Sequence, residues 1–587
     1  MMTKRAGHLL LSLAACLVVA GCVEPGRIET NLVTRYQQWL RSHSPQVRAS
    51  NEGLDALRPL TGRELLPLKV TTDPKTHLRT VELSLEQAIR LALMNSLDIR
   101  VVSFDPAMAR EDVIKAAAEF DCTVFANFSH ELQDKAASSS IWSSWSRTMP
   151  LELGLQDKTP LGTQLKATYD LTRTKDNLAI TSPDPRDEAI FTLEVTQPLL
   201  KFGGMEYNLA SLRIARLGHD ISLAQFREQV EKTVTDVQSA YWSLVQALED
   251  YQIQKRLLEA TIQTRDRVRT RAKLDATRVQ IKQTEAAVES RRAALLRAEK
   301  NVLDAQNLLA RLLADPRMPL VGQYVIRPTT VPVDTKVTVD PTDQLALALK
   351  HNPTLEQARL AIQSADISVQ VARNETLPEL DVSGSVSFQG LRGSAAKANL
   401  DMLTLDYFSH TVAVKFEYPL GNRAARAELR KKQFDRLKAI TTFQNVADQV
   451  AVAVGEAIRE IQTTYQEVQA QRAAKAAAKL ELQALEDTEK FRGRLTPEFL
   501  QLKLSAQETL AQAERAELQA LIGYNNALAE LSRVTGTTLL QHNIKLAAES
   551  AIRGRPLKPV PPASKPVTSK PGTGSEPGPP TRRKSSS

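Results

Sequence analysis

A chain of 587 residues with 23 glycines and 5% aromatic residues is long enough for several domains or one elongated one, and it lacks the composition of a conventional enzyme core. Its formal charge of +9 would suggest a nucleic-acid partner if it were spread along the chain. Instead +7 of it falls in residues 553–587, where Arg553, Arg555, Lys558, Lys565, Lys570, Arg582, Arg583 and Lys584 face Glu576 alone. The same stretch holds nine of the 29 prolines, so 546–587 reads as a solvated, disordered tail, with a cell-wall or polyanion contact as the sharper alternative and no nucleic acid expected.

From the amino terminus, Lys4 and Arg5 precede an apolar stretch from Leu9 to Ala20, which makes residues 1–21 a secretory signal too short to remain as a spanning helix. Val19-Ala20-Gly21-Cys22 resembles a bacterial lipobox. The resemblance implies cleavage before Cys22 and acylation of its thiol and new amino group, palmitate included. No cofactor is expected beyond this covalent lipid. Each buried CH₂ contributes about 0.8 kcal/mol, enough for a multiply acylated Cys22 to hold residues 22–80 as a lipid-anchored extension. Val23 stands where an Asp would oppose passage to the outer membrane, so outer-membrane lipid is the expected partner. Cys16 leaves with the signal and Cys122 stands alone, so no intrachain disulfide is expected. Beyond the signal no apolar run reaches 18 residues; if the chain crosses a membrane, strands must do it.

The remainder is written twice. AIRLALMNSLDI (88–99) matches QLALALKHNPTL (344–355) at an offset of 256, and Ala109, Val113, Ala116 and Glu119 continue in step with Ala365, Val369, Ala372 and Glu375. Each copy then runs into strands: TVFANF at 123–128, and ELDVSGSVSF at 379–388. In the latter, Leu380, Val382, Gly384, Val386 and Phe388 alternate with Asp381, Ser383, Ser385 and Ser387. Each copy has a returning strand that ends on a proline, FTLEVTQP before Pro198 and TVAVKFEYP before Pro419. No further proline occurs until Pro316 and Pro497, which permits very long helices. Leu244, Leu248, Tyr251, Leu258 and Ile262, and in the second copy Val446, Val450, Ala453 and Ala457, keep the three-and-four spacing of a coiled-coil seam. Turns are expected at RAKLDATRVQ (271–280) and RGRLTPEFLQ (492–501). Each lies 73 residues past its proline, an arm of roughly 110 Å if wholly helical.

The duplicated hairpins and strands resemble the TolC-type outer-membrane efflux proteins. So do QPLLKFGG (197–204), HNP (351–353), LPEL (377–380), GRLT (493–496) and LAELSRVTG (528–536). The expected fold is mainly α with membrane β: a long α-helical coiled-coil barrel continuous with a transmembrane β-barrel shared by a trimer, with internal duplication. The repeats are placed at 81–320 and 340–545, joined by a linker at 321–339. The resemblance implies four strands per protomer, apolar faces toward lipid and Ser/Asp faces toward a wet lumen. The first copy is about 35 residues longer between its opening and its proline. That excess around 151–172 is expected to form an added hairpin turning near Pro160-Leu161-Gly162, extending the strands or an external loop.

The implied function is a passive conduit across periplasm and outer membrane, the channel component of a tripartite efflux or type I secretion system. Its expected form is a homotrimer working with a periplasmic adaptor and an inner-membrane pump. By the same resemblance Arg271, Ala272, Leu274, Arg492, Gly493 and Leu495 would meet the adaptor. Glu498 and Gln501, with Thr277 and Gln280, occupy the nearest positions for a pore constriction, against the plain reading of exposed helix residues. The alternative is a periplasmic adaptor lipoprotein, which would carry one hairpin and soluble β modules. No enzyme is expected: the eight histidines form no metal-ligand spacing, and neither a Walker loop nor a G-x-S-x-G elbow is present.

Overall fold

The computed structural model describes residues 69–72, 79–136, 143–178, 181–271, 277–315, 317–318, 324–491 and 496–544. The signal, Cys22 and the basic tail lie outside the described residues. In chain order the elements are β1 (Lys69–Thr72), β2 (Arg79–Leu83), α1 (Leu85–Asn95), α2 (Leu97–Val102), α3 (Phe104–Ala117), β3 (Thr123–Phe128), β4 (Glu131–Asp134), β5 (Trp145–Lys158), β6 (Gln164–Asp176), β7 (Arg186–Pro198), α4 (Met205–Asn208), α5 (Ala210–Thr270) and α6 (Arg278–Leu313). After the first hairpin follow β8 (Tyr324–Pro328), α7 (Pro341–His351), α8 (Pro353–Asn374), β9 (Glu379–Arg392), α9 (Ala395–Leu403), β10 (Phe408–Glu417), α10 (Arg423–Phe491), α11 (Pro497–Val534) and α12 (Thr538–Gln541).

The duplication is visible in the helix breaks. Ser96 accepts from the Ile99 amide at the start of α2, and Asn352 Oδ1 accepts from the Thr354 and Leu355 amides at the start of α8, with Pro353 at the first helical position. The two stretches differ in sequence but each stops one helix and caps the next. Each repeat then builds its own core. Leu91 of α1 joins Tyr241 and Leu244 of α5 and Leu309 of α6 in one; Ala348 of α7 and Leu355 of α8 join Val454 and Ile461 of α10 and Tyr524 of α11 in the other.

The proline-free stretches form helices of 61 residues (α5) and 69 residues (α10), about 90 and 100 Å long, returned by α6 of 36 residues and α11 of 38. The described part of the linker between the repeats, 324–339, is tied to the rest of the protein. β8 pairs in parallel with β2, which itself pairs with β1. The fully buried Tyr241 hydroxyl donates to the Leu83 carbonyl and accepts from the Thr329 and Thr330 amides. Tyr524 does likewise further on, donating to the Thr335 carbonyl and accepting from the Val337 amide.

The second sheet runs β10-β9-β7-β6-β5-β3, with β4 also on β5, and every neighbouring pair is antiparallel. β3 and β4 share one register against β5, Thr123↔Gln156 through Phe128↔Leu151 and then Glu131↔Thr148 through Asp134↔Trp145, so they form one strand interrupted at Ser129 and His130. Among the described residues this sheet therefore has six strands where the resemblance implied four. The excess at 151–172 neither lengthens neighbouring strands nor hangs as an external loop. It inserts β5 and β6 as full members of the sheet, because both alternate apolar and polar residues over the length of their neighbours. Their turn closes through the Thr159 amide on the Thr163 carbonyl and the Gly162 amide on the Thr159 carbonyl, at the sheet end that faces the helices.

Candidate functional site

The register places each residue type on a definite face. Leu153, Tyr169, Phe191, Phe388 and Phe408 form one row of partners, and Val382 faces Val414 three rows of the same parity away. On the opposite face Ser383 lies beside Ala413 and Thr196, and Ser385 beside Thr411 and Glu194. Val412, Val414 and Phe416 on β10 are 75%, 66% and 66% exposed, an outward apolar band with no partner among the described residues. Charges on the polar face pair laterally: Lys415 with Glu379, and Lys166 with Glu152 at 3.6 Å. A sheet apolar on one face and charged on the other has the construction of a transmembrane barrel wall. Among the described residues no helix is long and apolar enough to cross a membrane.

The passage from wall to helix explains QPLLKFGG. Leu199 and Lys201 continue the pairing through their amides to the Leu380 and Pro378 carbonyls. The chain then folds back sharply. Phe202 takes φ +66° and Gly204 φ +91°, the Phe202 amide donates to Asn374 Oδ1, and Asn208 Nδ2 donates to the Phe202 and Gly204 carbonyls. Glycine at 204 adopts the left-handed region without the steric cost of a Cβ. In the second repeat Gly421 (φ +91°) and Asn422 do the same work, with Asn422 Nδ2 donating to the Thr376 carbonyl.

At the opposite end the hairpins meet. Val268 of α5 and Phe499, Leu500 and Leu504 of α11 form one buried cluster, against which Ile281 of α6 and Leu485 of α10 pack. The described ends of α5, α6, α10 and α11 therefore pack at one height, as the equal arms predict. Of the expected docking residues, Arg271 caps the end of α5, while Ala272, Leu274, Arg492, Gly493 and Leu495 lie outside the described residues. Of the expected constriction residues, Thr277 and Gln280 form a capping box at the start of α6: the Gln280 amide donates to Thr277 Oγ1 and the Thr277 amide to Gln280 Oε1 (2.8 Å), with Gln280 only 2% exposed. Glu498 lies exposed in the first turn of α11, behind the Thr496 cap and Pro497, and Gln501 is exposed one turn on, accepting a hydrogen bond from Gln283 of α6. The second repeat thus presents its polar pair outward, whereas the first uses its own pair locally.

Residues that the sequence reading did not single out hold the hairpins together. Arg291 of α6, 7% exposed, donates to the Leu504 carbonyl (2.8 Å), to Gln507 Oε1 (3.0 Å) and to Thr261 Oγ1, joining α6, α5 and α11. Burial holds its guanidinium below the ordinary arginine range, and Glu508 opposes that shift. Its signal was available: Thr284, Val288, Arg291 and Ala298 keep seam spacing, so a charged residue stands where the stripe expects an apolar one. Lys503, 1% exposed, pairs with Glu489 of α10, which Arg267 of α5 also reaches at 3.5 Å. Nearer the sheet, Arg227 donates to Glu231 (3.1 Å) and to the Gly536 carbonyl (2.9 Å), and Asn352 Nδ2 donates to the Val534 carbonyl. LAELSRVTG is thereby pinned to HNP and α5. Among the described residues no group of His, Cys, Asp and Glu could hold a metal ion.

Two coiled hairpins of equal reach beneath an amphipathic sheet define a channel protein: a helical tunnel continuous with a membrane barrel. The profile of the outer membrane efflux protein family matches residues 156–315 and 345–537, more than half of the chain, and the protein belongs to that family. It is an outer-membrane channel component of efflux systems. Among solved structures it is similar to the Campylobacter jejuni CmeC outer membrane channel, with 13% identity over 80% of this chain and 88% of that one and a TM-score of 0.60. The open state of the Neisseria gonorrhoeae MtrE outer membrane channel shares 18% identity over 78% and 89% of the two chains, with a TM-score of 0.57. The outer membrane protein VceC of Vibrio cholerae shares 16% over 77% and 96%, at 0.56. No curated protein sequence matches the chain.

Proposed function

We propose that three copies close one tube, anchored in the outer membrane by acylated Cys22, and that this tube gives solutes a passive conduit fed by an inner-membrane pump through a periplasmic adaptor. The observation that carries the reading is the six-strand sheet: one face is apolar, the other polar, both outer edges are unpaired among the described residues, and it stands on two hairpins whose described ends pack together. An adaptor would present one hairpin and soluble β modules, whereas the family and the second hairpin favour the channel. The adaptor is met through the turn segments 271–276 and 492–497, which follow the helix ends that cluster away from the sheet.

The test is planar-bilayer conductance of the purified full-length protein, with its subunit count by native mass spectrometry and a cellular export assay alongside. Trimers that conduct and restore export in a deletion strain are expected; conducting monomers or non-conducting trimers would overturn the reading. Leu495→Asp should abolish export while leaving conductance. Glu498→Gln should weaken cation preference, and unchanged selectivity would place Glu498 outside the pore. Cys22→Ser should abolish fatty-acid labelling while the trimer still inserts.

A further inference from the structure

We infer that the membrane barrel of this protein is closed by eighteen strands, six from each of three copies, with β10 of one copy pairing with the β3–β4 strand of the next. The trimer itself rests on the conduit reading above; the strand count rests on the sheet. An open edge cannot be left within a bilayer, because its amides and carbonyls would have no partner. Among the described residues both edges of this sheet are open: β10 is exposed at every residue, and β3 at every residue except the half-buried Phe125. An even number of strands makes the two edges antiparallel when one copy meets the next, as closure requires.

The register supports the fit. Thr123, Gln156, Lys166, Glu194, Ser385 and Thr411 form one unbroken row from edge to edge. From that row β3–β4 runs away from the helices to Asp134, while β10 runs toward them to Glu417. The edges overlap along their lengths only if successive copies are staggered by about six to eight residues, using a rise of about 3.3 Å. Over six strands spaced about 4.8 Å apart, that stagger tilts the strands by about 35–43°, within the range of about 35–45° found in closed barrels. An even stagger keeps Val412 and Val414 on the same face as Val124 and Phe128, so the apolar band continues across the joint.

The competing arrangement detaches β5–β6 and pairs β3 directly with β7, which would leave twelve strands. Several contacts oppose it. β6 is paired on both sides along its length. The Phe125 ring of β3 occupies the space over Gly154 of β5, where a Cβ would come within 2.2 Å of it. Tyr169 of β6 donates to Asn399 of α9 at 2.6 Å, and the Gly204 amide at the strand-to-helix turn donates to the Leu161 carbonyl. At equal tilt, diameter grows with strand number, so eighteen strands give a backbone diameter of about 36 Å against about 24 Å for twelve.

Cross-linking of the full-length protein in membranes, in a Cys122→Ser background, tests this. Ala167→Cys with Leu193→Cys reports β6 against β7, and Val414→Cys with Ala126→Cys or with Phe128→Cys reports the joint between copies. Expected is an intrachain disulfide in the first variant and a covalent trimer ladder in one of the second pair. A trimer ladder without the 167–193 disulfide would overturn the eighteen-strand barrel while leaving the conduit reading intact. Absence of both cross-links, with monomers by native mass spectrometry, would overturn both. Cryo-EM of the trimer in lipid nanodiscs counts the strands directly, and twelve would sink the inference.

Discussion

Glu231 makes the stability of the helical section depend on pH. Its side chain is 1% exposed on α5, beside Asn352 and Pro353 at the start of α8 and Arg533 of α11. Burial pushes its carboxyl from an ordinary 4.5 up to about 7, outweighing the downward pull of Arg227, while Glu228 adds to the rise. Between those two values the folded chain binds the proton more tightly than the unfolded chain, so stability falls as pH rises through the window and levels off above about 7. At about 1.4 kcal/mol per pH unit, the full loss from this group is about 3 kcal/mol. Glu231→Gln keeps an acceptor for the Arg227 N–H and removes the titration. Chemical denaturation of the two proteins in detergent at steps from pH 4.5 to 8 is the assay. The variant should gain on the wild type by about 3 kcal/mol across the window, with a constant difference above it. Parallel profiles would show that Glu231 ionises freely, through water reaching it from the cavity it lines.

Other perturbations separate wall, linker and hairpin. Val382→Arg on the apolar face should cost about 2–4 kcal/mol near the bilayer midplane, whereas Ser383→Arg should chiefly alter conductance; equal destabilisation in a folding assay would contradict the assignment of faces. Tyr241→Phe strands the Leu83 carbonyl and the Thr329 and Thr330 amides, and should cost about 1–3 kcal/mol and open the linker to limited proteolysis, with Phe accepted sterically. Arg291→Ala should lower stability by about 1.5–3 kcal/mol, and Arg291→Lys should restore little of it, because one ammonium cannot reproduce the forked contacts to Leu504 and Gln507. Matching thermal melts of the Lys variant and wild type would show that the charge alone matters.

Much of this architecture is local and therefore legible in the chain. Alternation at 379–388 assigns each side chain of β9 to a face, the runs between Pro198 and Pro316 and between Pro419 and Pro497 permit the long helices, and the offset of 256 aligns Ser96 with Asn352, which cap equivalent helices despite their different chemistry. The added hairpin at 151–172 was legible as an excess of residues, but not its destination. Period-two alternation says which way a side chain points and nothing about which strand lies alongside, so the neighbours of β5 and β6, and the count of six, were settled only by pairing across the sheet. The same limit applies at the tip. Thr277 and Gln280 align with polar positions in the second repeat, yet Gln280 is buried in its cap while Gln501 is exposed, because the packing of α6 against α5 and α11 decides which face of each helix meets solvent. Sequence determined the elements and their faces through backbone periodicity; tertiary structure decided their partners, because pairing and burial depend on residues tens to hundreds of positions apart.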